Sequence, residues 1–93
     1  MKRERYASVW DAIEDDPAVA ENLKLRSSLM IALKRQIKSE RLTQAQAAKL
    51  FGVTQPRISN LIRGKIDAFG LDMLVKMATA AGLRVTMRVK KAA

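Results

Sequence analysis

The sequence has 93 residues, of which 48% are hydrophobic, a formal net charge of +9, and neither cysteine nor histidine. This length is typical of one small domain with a modest core, which gains stability by self-association. The lack of cysteine and histidine excludes disulfides, zinc sites with sulfur or nitrogen ligands, thiol nucleophiles and imidazole bases. We therefore expect no enzymatic activity, no metal and no cofactor.

The charge is unevenly distributed along the chain. Residues 1–41 hold nine Lys or Arg and seven Asp or Glu, whereas residues 42–93 hold nine Lys or Arg and only two acids. Within the first half, residues 6–23 hold five acids and no base. This asymmetry indicates a polyanion as partner of the second half and a basic protein as partner of the acidic segment. The alternative is a basic surface that only keeps a small protein in solution.

The sequence also bears on location. The longest uninterrupted apolar run, residues 29–33, is too short to span a bilayer. The N-terminal sequence MKRERYASVWDAIEDD lacks the apolar stretch of a secretory signal. We therefore expect a soluble cytoplasmic protein, without a membrane partner.

Helix signals dominate the first half of the chain. Ser8 and Asp11 predict the start of a short helix with the sequence VWDAIED. Asp16 and Pro17 then form the N-cap and first turn of a long helix that runs to about Ser39. Its apolar residues recur every four positions, at Leu25, Leu29, Leu33 and Ile37, and Met30 joins them.

The segment TQAQAAKLFGVTQPRIS, residues 43–59, predicts two helices and not one. Thr43 caps the first, which ends at Gly52, and Thr54 caps the second, where Pro56 is harmless because it lies in the first turn. The two short helices with the tight turn between them are a helix-turn-helix. The residues predicted to face inward are Ala47, Ala48, Leu50 and Phe51 in the first helix and Ile58, Leu61 and Ile62 in the second.

A further helix is predicted from an N-cap at Gly70 to Gly82, with Phe69 and Leu74 packing across its start. Residues 83–89 then alternate apolar and polar side chains, which predicts a strand. Because a lone strand leaves its backbone groups unpaired, we expect a twofold dimer through antiparallel pairing, with pairing to the N-terminal RERYAS or a frayed tail as alternatives. The apolar dimerisation residues would be Leu83, Val85, Met87 and Val89.

These motifs resemble a known family. Over residues 23–82, and above all in LTQAQAAKLFGVTQPRISNLIRGK, the sequence resembles the five-helix DNA-binding domain of phage repressors and the Xre family. The segments VWDAI, AENLKLRSSLMIAL, QPRISNLIRGKID and LDMLVKMATAAGLRV are similar to HigA-like antitoxins. One departure is Glu40-Arg41-Leu42, where a glycine is common in the family.

The resemblance implies an all-α, five-helix, repressor-like domain, to which the alternation of residues 83–89 adds one C-terminal β-strand. The chain would be a single domain with an acidic and aromatic extension at residues 1–16, a helical core at residues 17–82 and the strand at residues 83–89. It would be a homodimer that binds an operator in double-stranded DNA, represses its own operon and neutralises a basic ribonuclease toxin of the RelE/HigB type. A phage-type or general Xre-family repressor with no toxin and an interaction module without DNA binding are the alternatives.

In a helix-turn-helix the second helix enters the major groove and its N-terminal residues meet base edges. The predicted base-reading residues, which would point outward as one patch, are Gln55, Arg57 and Asn60. Residues predicted to contact the DNA backbone are Thr54, Ser59, Arg63 and Lys65. The resemblance adds Gln44, which matches the family residue that contacts a phosphate. Residues predicted to bind the toxin are Trp10, Asp11, Glu14, Asp15 and Asp16, although Trp10 is also typical of a core or rim aromatic.

Overall fold

A computed structural model of the protein describes Trp10, Ile13 and residues 15–92. The described chain forms four α-helices and one 3-10 turn. The helices are α1 (Pro17–Ser39), α2 (Gln44–Phe51), α3 (Gln55–Ile62) and α4 (Leu71–Ala80), and the 3-10 turn spans Ile66–Ala68 between α3 and α4. In the predicted first helix, VWDAIED, the backbone at Trp10 and Ile13 is helical and that at Asp15 is a bend, and the other four residues lie outside the described residues. None of the described helices combines the length and apolarity needed to cross a bilayer.

The prediction of five helices followed by a C-terminal strand is wrong. The described residues contain four α-helices and no strand, and residues 83–92 have no regular secondary structure. Alternation alone does not make a strand, because a ladder needs a neighbouring strand and no other described segment is extended beside this one. The segment instead passes over α1 and α4, where Val85 and Met87 line a groove with Leu25 and Val75.

The long helix α1 begins as predicted. The Asp16 carboxylate accepts a hydrogen bond from the Ala18 N–H at 2.9 Å, and Pro17 occupies the first turn. Of its predicted apolar residues, Met30, Leu33 and Ile37 are buried, but Leu25 is 45% exposed. Residues four apart advance about 40° more than a full helical turn, so a strict four-residue repeat drifts around the helix. The buried stripe mixes steps of three and four and consists of Ala20, Leu23, Ser27, Met30, Leu33 and Ile37.

The two helices of the motif start at the predicted residues, and the first also ends where predicted, at Gly52. Thr43 forms a full capping box, in which its hydroxyl accepts from the Gln46 N–H and the Gln46 side chain accepts from the Thr43 N–H. Helix α2 ends at Gly52, whose φ of 69° is a left-handed conformation that glycine adopts without steric cost. The Thr54 hydroxyl then caps α3 by accepting from the Arg57 N–H. The interruption between the helices is therefore a turn with its own hydrogen bonds.

The core lies where all four helices meet. Ala47, Phe51, Ile58 and Leu61 of the motif are buried as predicted, but Ile62 is 39% exposed, so the prediction for that residue is wrong. The packed cluster consists of Met30, Leu33, Ile37, Ala47, Ala48, Phe51, Ile58, Leu61, Phe69, Leu74, Met77 and Ala78. This core fixes α3 against α1, α2 and the 3-10 turn and leaves the opposite side of α3 in solvent.

Candidate nucleic-acid interface

The first turn of α3 is presented to solvent. Gln55 and Pro56 are exposed, while Ile58 and Leu61 are fully buried on the other side of the helix. Because Thr54 caps this end, its hydroxyl satisfies one of the N–H groups that have no partner within the helix. The Gln55 amide therefore lies exposed at a helix N-terminus. The partial positive charge of this helix end favours binding of an anion beside it.

Arg57 is placed differently from the outward patch predicted for it. Its side chain is half-buried, and the guanidinium donates a hydrogen bond of 2.5 Å to the carbonyl oxygen of Ala68. The guanidinium carbon also lies 5.6 Å from the centre of the Phe69 ring, within the range of a cation–π contact. The structure thus directs Arg57 toward the 3-10 turn, and the contact of Arg57 with guanine stays a prediction.

A second arginine holds the same turn from α1. Arg26 donates through one guanidinium nitrogen to the carbonyl oxygens of Ile66 and Phe69, at 3.2 and 3.3 Å. Its Nε donates to the Asn22 side chain at 2.6 Å, which orients the guanidinium. The sequence analysis did not single out Arg26, and it assigned Phe69 only to packing at the start of α4, because the pairing joins positions about forty residues apart.

The remaining predicted DNA contacts lie at the ends and the open side of the motif. Gln44, Thr54, Arg63 and Lys65 are exposed, whereas Ser59 and Asn60 are half-buried. Gln44 and Gln55 each occupy the first position of their helix, and Arg63 and Lys65 follow the end of α3. Gln55, Ser59 and Asn60 therefore share the open side of α3, with two cations following at its C-terminal end.

Two grooves with cationic walls flank α3. The α1–α3 groove, about 400 Å³ in volume, is lined by Ile31, Lys34, Arg35, Ile37, Lys38 and Ile62. On the other side, the α3–α4 groove of about 300 Å³ includes Thr54, Arg57 and Lys76 among its lining residues. The sequence reasoning passed over the cations of α1, although three of them within five residues, with no acid between them, are a visible signal.

The N-terminal segment is partly described. The Trp10 indole N–H donates to the hydroxyl of the buried Ser27 at 2.7 Å, so this ring packs on α1. Ile13 is 64% exposed, and Asp15 and Asp16 are exposed beside it in sequence. Asp11 and Glu14 lie outside the described residues. Within the described part of the chain, no group of acidic side chains is arranged to hold a metal ion.

The predicted dimerisation residues form part of an apolar surface. Leu83, Val85, Met87 and Val89 are all exposed, although no strand carries them. Val85 and Met87 line the third groove, of about 500 Å³, whose other walls come from α1 and α4. The structure therefore brings two of these four residues against the helical core.

Comparison with known sequences agrees with this architecture. The sequence model of a family described as a helix-turn-helix domain matches residues 12–90, which is most of the chain. Comparison with curated proteins gave no match. The family match supports a DNA-binding regulator as the class of function, since this motif carries a recognition helix for the major groove. With the capped α2, the turn at Gly52 and the exposed first turn of α3, the chain belongs to the helix-turn-helix domain family.

Proposed function

We propose that this protein is a sequence-specific transcriptional repressor that inserts α3 into the major groove of double-stranded DNA. The observation that carries the proposal is the exposed, capped first turn of α3, with Gln55 at its start and cations on both sides of the helix. The glutamine amide can donate to N7 and accept from N6–H₂ of adenine. The proposed function involves no catalysis.

In this proposal Gln55 and Asn60 read bases, because both lie on the side of α3 away from the core. Arg57 reaches a guanine only if its guanidinium leaves Ala68 and the Phe69 ring. Backbone contacts are assigned to residues that carry little base information, namely Gln44, Thr54, Ser59, Arg63 and Lys65.

The base-reading proposal is tested by the change Gln55→Ala. We expect it to reduce discrimination between the DNA upstream of the protein's own gene and a scrambled duplex by about 1–3 kcal/mol, because a bidentate base contact is lost. Fluorescence anisotropy titrations with both duplexes measure this ratio. The control Thr79→Ala changes an exposed residue of α4 and should leave the ratio unchanged. A Gln55→Ala variant with the discrimination of the parent would contradict the assignment.

A narrower role follows from the resemblance to HigA-like antitoxins. We propose that the repressor is a cytoplasmic, nucleoid-associated homodimer that regulates its own operon and binds a basic toxin of the RelE/HigB type. The acidic N-terminal segment and the exposed apolar residues Met87 and Val89 are consistent with two protein surfaces of different chemistry. A general Xre-family repressor without a toxin is the alternative.

The change Ile13→Lys tests the toxin surface. Trp10 is engaged with Ser27, so among the described residues of this segment Ile13 is the apolar side chain that is exposed enough to anchor a partner. We expect Ile13→Lys to weaken binding of a basic toxin encoded beside this gene by roughly tenfold or more, as for an interface anchor, and to leave DNA affinity unchanged. Titration calorimetry measures the first quantity and anisotropy the second, with Thr79→Lys as the control. Unchanged toxin affinity would exclude Ile13 as an anchor.

A further inference from the structure

We infer that Lys34, Arg35 and Lys38 of α1 form a second DNA-binding surface, which contacts the phosphate backbone along one side of the recognition helix. This inference rests on the proposed function, because it concerns the same bound duplex. It assigns a binding role to the scaffold helix, whose buried side only supports the core.

Among the described residues, no acidic side chain pairs with the cations of this surface. All three side chains are exposed, and no carboxylate of the described residues lies within ion-pair distance of them. Lys34 and Lys38 are four positions apart and therefore neighbours on one side of α1, where like charges repel. A polyanion on this surface would relieve that repulsion.

The position of the surface points to DNA as the polyanion. Ile62, in the last turn of α3, lines the same groove as the three cations, so they lie directly beside the recognition helix. The major groove is about 12 Å wide, which is close to the diameter of a helix with its side chains. A helix inserted there has a phosphate backbone on each side. The cations of α1, the helix next to α3, would then contact one of these two backbones.

The other side of α3 has a matching feature. Lys76 of α4 lines the α3–α4 groove together with Thr54, the cap of the recognition helix. Cations therefore flank α3 on both sides, as phosphate strands flank a helix in the major groove. If the α1–α3 groove only bound an acidic peptide, there would be no need for Lys76 on the opposite side of α3.

The salt dependence of DNA affinity tests the inference. A protein that neutralises Z phosphates shows a slope of about −0.9Z in a plot of log affinity against log salt concentration. We expect the full-length double variant Lys34→Gln and Lys38→Gln to lose about 1.8 from the magnitude of this slope, equally on the gene's own upstream duplex and on a scrambled one. Discrimination between the two duplexes should stay that of the parent. Circular dichroism and thermal unfolding verify that the variant is folded.

The control is the double variant Lys90→Gln and Lys91→Gln, which removes the same charge from the exposed tail. We expect it to keep the slope of the parent. A parental slope in the α1 variant, or an equal loss in the control, would overturn the inference; the first result would favour an acidic protein segment as the occupant of the α1–α3 groove. A parent protein that binds duplex without preference would instead refute the proposed sequence-specific function and leave the slope test intact.

Discussion

Replacing Phe51 with alanine is expected to lower the free energy of unfolding by about 3–5 kcal/mol, because it removes a large buried ring and leaves a cavity. Phe51 is 2% exposed and is the last residue of α2, directly before the turn at Gly52. It packs in the cluster that joins all four helices. Domains of this size have roughly 0.05–0.15 kcal/mol of stability per residue, so the loss is a large part of the total.

Urea unfolding followed by circular dichroism measures this loss as a lower midpoint with an unchanged slope. The control Val75→Ala changes a residue of α4 that is 40% exposed, and its effect should be below about 1 kcal/mol. Similar losses in the two variants would contradict the placement of Phe51 at the centre of the core. Because the recognition residues are unchanged, DNA discrimination by the folded fraction should remain that of the parent.

Replacing Phe69 with alanine is expected to cost a similar 3–5 kcal/mol and also to release Arg57. Phe69 is buried, and its ring lies beneath the Arg57 guanidinium. The change therefore removes both core packing and a cation–π contact between the recognition helix and the segment before α4. Thermal or urea unfolding measures the total effect.

A double-mutant cycle separates the two contributions. We expect Arg57→Ala and Phe69→Ala to be non-additive, with a coupling of about 0.5–1 kcal/mol. Phe69→Leu serves as the matched variant, since it keeps much of the apolar volume while removing the ring. If the free-energy changes of the single variants add without coupling, Arg57 does not stabilise the fold through Phe69. That result would support a role for Arg57 in base reading.

The parts of the fold that could be predicted from the sequence are those set by local chemistry. Thr43 with Gln46 specifies a capping box within four residues, and Gly52 and Thr54 specify the end of one helix and the start of the next. These signals depend on neighbours in the chain, so distant packing did not override them. The solvent-exposed side of α3 could also be predicted from local sequence, because the burial of Ile58 and Leu61 leaves Gln55 in solvent.

The parts that could not be predicted depend on distant partners. Residues 83–89 have the alternation of a strand, but alternation does not supply a second strand, and the described chain contains none. Arg57 lies between the buried and open sides of α3, and its direction is decided by the position of Ala68 and Phe69. The cations of α1 can be related to DNA binding only when Ile62, in the recognition helix, is known to lie beside them.

The two arginines that hold the 3-10 turn have a consequence for the ionic conditions the protein can tolerate. Arg26 and Arg57 donate to neutral carbonyl oxygens, and the ion pair between described residues, Lys24 with Glu21, is a surface pair of small energetic value. Dissolved ions screen charge–charge attraction far more than hydrogen bonds to neutral, partly buried carbonyls. The orientation of the recognition helix therefore depends little on ionic strength, whereas the proposed attraction to phosphates depends on it strongly. Salt that releases the protein from DNA should release it folded and ready to bind again.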